Sequence, residues 1–91
     1  MAATLNNLAE LYRAQRRYAQ AEPFYRRLLS LQEKTLGPEH PKVAATLYNL
    51  AQSLENQATL LRKTARDAEA EEVETRAKAI RARLAQVNPK K

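Results

Sequence analysis

Ala2-Ala3-Thr4-Leu5-Asn6-Asn7-Leu8-Ala9 returns as Ala44-Ala45-Thr46-Leu47-Tyr48-Asn49-Leu50-Ala51, identical at seven of eight positions and displaced by 42 residues. An echo at that distance marks stacked supersecondary units. Such units re-use one helical hairpin to bury the apolar face of its neighbour. The repeat therefore points to a scaffold that presents surfaces, and away from a chain built around a reactive centre.

Composition supports helices. Ala, Leu, Glu, Arg, Lys and Gln dominate, Gly37 is the single glycine, and β-branched residues are sparse. At 91 residues the chain reads as one domain at most, or a piece of a longer array, and its stability margin is thin. No cysteine is present, so neither disulfides nor thiolate sites enter the argument. No run approaches the ~20 apolar residues of a membrane span, and the N-terminus lacks the layout of a secretion signal. A cytoplasmic location is the default expectation. The formal charge of +6 favours anionic partners, or reflects solvated helix faces, since the basic residues are spread along the chain.

Hydrophobic spacing predicts four helices. The first runs from about Ala2 to Gln15, with Leu5, Leu8, Ala9, Leu11 and Tyr12 on its inner face. The second, about Tyr18 to Leu36, turns Ala21, Phe24, Tyr25, Leu28, Leu29 and Leu31 inward. Gly37-Pro38 ends it, as a left-handed residue followed by one that cannot continue a helix. Pro41 opens the third helix, where its missing N–H is harmless. That helix extends to about Thr64 on Val43, Leu47, Leu50, Ala51, Leu54, Leu60 and Leu61. The fourth starts near Asp67, read as an N-cap, and carries Val73, Ala77, Ile80 and Leu84. Pro23 decides the first break, because inside one unbroken helix it would cost roughly 3 kcal/mol. Nothing comparable marks Ala65-Arg66. Residues 41–87 can therefore be read as a hairpin turned at Arg66 or as one long helix.

Beyond Leu54 the offset changes from 42 to 49, pairing Leu11 with Leu60, Arg13 with Arg62, Arg17 with Arg66 and Ala21 with Ala70. The extra seven residues are visible as Ala45–Ala51 followed by Gln52–Ala58, in which Leu, Asn and Ala recur. Seven residues are nearly two helical turns, so the buried face drifts by only ~20°. The third helix gains about 10 Å. This overhang calls for a cover.

Leu5-x2-Leu8-Ala9-x2-Tyr12 followed by Ala21-x3-Tyr25 resembles the tetratricopeptide repeat pattern. The Gly37-Pro38-Glu39-His40-Pro41 connector and the Tyr18–Pro23 start are similar to the long repeats of kinesin light chains. Repeat one would span residues 3–40 and repeat two 41–86, with a basic tail at 87–91. Three features depart from the pattern. Arg16 and Ala65 stand where the turn usually has glycine. Gln57 and Glu74 replace apolar residues in repeat two, as suits a capping repeat. The third departure is the added heptad.

The resemblance implies a groove along the first helix of each hairpin that receives extended peptides. By position it would hold Asn6, Asn7, Glu10 and Arg13, then Tyr48, Asn49, Glu55, Asn56, Thr59, Arg62 and Lys63. Asparagine amides both donate to and accept from a peptide main chain, and arginine forks onto carboxylates. Alternatively, Asn7 and Asn49 bond only within the protein.

Catalytic and metal chemistry find no support in the sequence. His40 is the only histidine, and its expected role is structural, at a helix entry. Glu69, Glu71, Glu72 and Glu74 read as a solvated face paired with Arg66 and Arg76. Tyr12, Tyr18 and Tyr25 read as hairpin core. Arg13, Arg16, Arg17, Arg26 and Arg27 could meet phosphates, yet no nucleic-acid reader motif accompanies them. The expectation is thus an all-α, two-hairpin domain over residues 1–91. It would act as a non-catalytic protein–protein interaction module for an extended or acidic peptide, without cofactor or metal. Because two repeats bury little core and the overhang needs cover, a helix-exchanged homodimer is also expected, either alongside peptide binding or as a purely structural assembly unit.

Overall fold

The computed structural model describes residues 2–87, so residues 88–91 of the expected basic tail lie outside the described residues. Four helices follow in order: α1 (Ala2–Ala14), α2 (Tyr18–Leu36), α3 (Pro41–Lys63) and α4 (Asp67–Val87). No strand occurs among the described residues. Each helix packs chiefly on its neighbour in sequence, which gives two helical hairpins joined through α2 and α3. They form a slab of 40 × 31 × 17 Å.

The two hairpin turns share one geometry. After α1, the Arg17 N–H donates to the Tyr12 carbonyl at 2.8 Å and the Arg16 N–H to the Arg13 carbonyl at 2.9 Å. After α3, Arg66 donates to Leu61 at 2.8 Å and Ala65 to Arg62 at 3.1 Å. This bond pair is the Schellman closure, which needs a left-handed residue just past the helix. Arg16 (φ 64°) and Ala65 (φ 62°) occupy that conformation without being glycine. The positive φ at Ala65 settles the second break: residues 41–87 form a hairpin, not one continuous helix. Both turns obey the 49-residue register.

Between the hairpins, Gly37 takes φ 95° and its N–H closes on the Glu33 carbonyl at 3.1 Å. His40 then caps α3, its Nδ1 accepting from the Lys42 N–H at 3.0 Å, with Pro41 in the first turn. This is the structural role expected of the histidine. Asp67 is the first helical residue of α4, not a cap residue ahead of it, and adds its charge to the first turn with Glu69. Pro23 lies inside α2, so it has no N–H to give the carbonyl of Ala19.

The core runs along the slab through Ala9, Ala21, Tyr25, Leu29, Val43, Leu47, Leu50, Ala51, Leu54, Ala58, Ala70, Val73, Ala77 and Ile80. Tyr12 stacks on Phe24 with ring centroids 5.6 Å apart, and both pack against this cluster. Leu11 departs from expectation. It is 51% exposed, because the buried stripe of α1 is narrow and centred on Leu5 and Ala9. Tyr18 also lies at the edge, half-buried beside the first turn. The α3 overhang is covered within the chain, by an α4 that pairs with α3 along its length.

Ion pairs link the second helices across the hairpins. Glu22 receives Arg26 of its own helix at 2.9 Å and Arg76 of α4 at 2.9 Å, while Glu33 meets Arg83. Within the acidic run, Glu69 pairs with Arg66 as expected. Arg76 instead turns to Glu22, and Glu74 to Arg62.

Candidate functional site

The first helices of the hairpins, α1 and α3, flank a cleft of about 490 Å³. Asn6 and Glu10 come from α1, Lys42 and Asn49 from α3, and Gln32 of α2 lies beneath. The floor is fixed by Thr46, whose hydroxyl donates to Gln32 Oε1 at 2.6 Å. Among the described residues no side-chain hydrogen bond occupies the amides of Asn6 and Asn49. They stand with free donors and acceptors on opposite walls.

The eleven residues expected in one groove separate into four sets. Asn6, Glu10 and Asn49 line the α1–α3 cleft. Asn56, Thr59 and Lys63 line a smaller cavity of about 240 Å³, together with Arg16 and Tyr18 of the first turn. Tyr48, Glu55 and Arg62, spaced by heptads along α3, are engaged by α4 instead. Arg81 lies over the Tyr48 ring at 5.1 Å and forks onto Glu55 with two bonds of 2.9 Å. Arg62 forks onto Glu74 at 2.6 and 3.1 Å. These charge-assisted bonds hold the Glu55 and Glu74 carboxyls below their ordinary range and raise their arginine partners. Finally, exposed Asn7 and half-buried Arg13 line neither cavity.

Sequence reasoning missed Gln32, Lys42 and Thr46 as parts of the cleft. The signal was available in Thr46. A hydroxyl at a core position of an amphipathic helix must find a partner, and the facing residue of the previous helix is the natural one. The five arginines that could meet phosphates do not share one surface, although Arg16 and Arg17 stand together at the first turn. Arg26 is bound to Glu22, and Arg27 lines a separate cavity with Leu5 and Lys34. Among the described residues no cluster of His, Cys, Asp and Glu suits a metal ion, and no helix is long and apolar enough to cross a membrane.

Two stacked hairpins with a polar cleft between their first helices make this a helical-repeat protein. The Tetratricopeptide repeat family model matches residues 1–55, which takes in α1, α2 and the front of α3. The chain belongs to the tetratricopeptide repeat family. The match stops inside the duplicated heptad, Gln52–Ala58. No curated protein and no solved structure matches the chain.

Proposed function

We propose that this chain is a non-catalytic protein–protein interaction scaffold that takes an extended peptide into the α1–α3 cleft, in the manner of the kinesin-light-chain-like repeats it resembles. The observation that carries this reading is the pair of unbonded amides, Asn6 and Asn49, on facing walls. Each can donate to a main-chain carbonyl and accept from a main-chain N–H, which fixes a peptide without reading its side chains. Glu10 and Lys42 add one charge of each sign, so this cleft selects for position more than for net charge.

The double variant Asn6→Ala/Asn49→Ala is expected to weaken binding of a peptide selected from a displayed library by roughly tenfold or more, with an unchanged melting temperature. Retained affinity would remove the cleft from consideration. A lower melting temperature without lost affinity would make the asparagines structural.

A second reading, self-association, rests on Ala65. A non-glycine residue in the left-handed region costs about 1 kcal/mol, and short strained hinges favour helix exchange. Straightening the turn would relieve that cost and offer α4 to a second copy, giving a helix-exchanged homodimer. Light scattering after size exclusion then shows a dimer fraction, and Ala65→Gly moves it to monomer while raising the melting temperature by roughly 4–8 °C. A wild-type chain that is wholly monomeric at micromolar concentration removes this reading.

A further inference from the structure

We propose a second binding site at the turn end of the molecule, for an acidic peptide segment that presents one bulky apolar side chain. The inserted heptad carries the end of α3 past the first hairpin turn. α4 covers one flank of that extension. On the other flank, facing the first turn, lies a pocket of about 370 Å³. Tyr18, Leu60 and Leu61 give it an apolar wall, and Arg16 and Arg17 stand at its edge. The smaller cavity holding Lys63 adjoins it, since Arg16, Tyr18 and Leu60 line both. Neither shares a residue with the α1–α3 cleft, so this site does not depend on the peptide reading given above.

Charge defines the ligand. No carboxylate lines either cavity. Most arginines of α3 and α4 are committed to internal partners, and Arg66 at this end pairs with Glu69 at 3.1 Å. Arg16, Arg17 and Lys63 have no such partner among the described residues. Three uncommitted cations around an apolar wall suit an anion with an apolar body.

The polar atoms favour a peptide over a nucleic acid. Gln57 lines the pocket, and its buried Oε1 has no hydrogen-bond partner. Ala19 also lines it, and its carbonyl cannot receive the usual helical donation because Pro23 lacks the N–H. The Gln57 oxygen is closed off from solvent, but the Ala19 carbonyl belongs to an exposed residue of the pocket and calls for N–H donors, which a peptide main chain supplies at regular intervals. A phosphodiester backbone supplies charge without them.

The test titrates ¹⁵N-labelled protein with the capped peptide Asp-Asp-Leu-Phe-Asp-Asp. Parallel titrations use versions with Ser-Ser in the centre or Asn in place of Asp, and a short oligodeoxythymidine. The expected result is amide shifts at Gln20, Gln57, Leu61 and Thr64 with the first peptide. Affinity should fall roughly tenfold or more for either altered peptide, and likewise for Arg16→Gln/Arg17→Gln with the original peptide. The altered peptides test the site even if that double variant melts early. Shifts centred on Asn6 and Asn49, equal binding of the Ser-Ser peptide or the oligonucleotide, or no binding of any peptide would each overturn the proposal.

Discussion

Leu54→Ala is expected to destabilise the protein by about 3 kcal/mol, within the range for a fully buried leucine whose site cannot collapse. At roughly 4–8 °C for each kcal/mol in a domain of this size, the melting temperature would fall by roughly 12–24 °C. The reason lies in where Leu54 sits. It is the heptad copy of Leu47, and both continue the stripe that Leu5 begins in α1. All three are buried, but Leu54 lies in the extension and packs with the cluster that includes Val73 and Ala77 of α4. Leu11→Ala is the control, since its side chain is half in water and its loss should cost little. A Leu54→Ala protein that melts within a degree or two of wild type would mean that α4 does not pack on the extension.

Ser53→Ala, one residue away, is expected to act in the opposite direction and stabilise the protein by about 1–2 kcal/mol. Ser53 is 1% exposed and its hydroxyl has no hydrogen-bond partner, so the group was desolvated without return. Alanine removes that cost and is the better helix former. The heptad explains why the hydroxyl is there. Ser53 copies Thr46, whose hydroxyl is bonded to Gln32, but the copy lies two turns further along, where its hydroxyl has no hydrogen-bond partner. Gln57 tells the same story: it copies the position of buried Leu50 and leaves its amide oxygen orphaned. Thr46→Ala should therefore destabilise, by about 1 kcal/mol, because it strands the Gln32 oxygen. Thermal melts of the two variants should move in opposite directions; a shared direction would refute the partner argument.

Helix order, connector and core could be read from the residues because each has a local cause. Gly37, Pro38 and Pro41 punctuate the chain, and apolar residues at the helical period name the buried face. The second turn could not be decided that way. Arg16 and Ala65 are ordinary residues, and only the register linking Arg17 with Arg66 hinted that both turns share one geometry. The candidate site was read in part. Helix phase put Asn6, Glu10 and Asn49 along one edge, and the three line the α1–α3 cleft. Whether Tyr48, Glu55 and Arg62 stayed available depended on what α4 carries opposite them, and Arg81 and Glu74 lie too far along the chain for periodicity to match. Leu11 failed for a related reason. A narrow buried stripe, centred on Leu5 and Ala9, leaves Leu11 at its exposed margin.

The slab built from sequence-adjacent pairings also bears on kinetics. Nearly every stabilising contact is made between stretches of chain that leave the ribosome close together, so little loop-closure entropy separates encounter from reward. Folding on the microsecond-to-millisecond scale follows. Under tension applied at its ends, such a chain should yield from the outside inward, α1 peeling from α2 before the α3–α4 pair gives way.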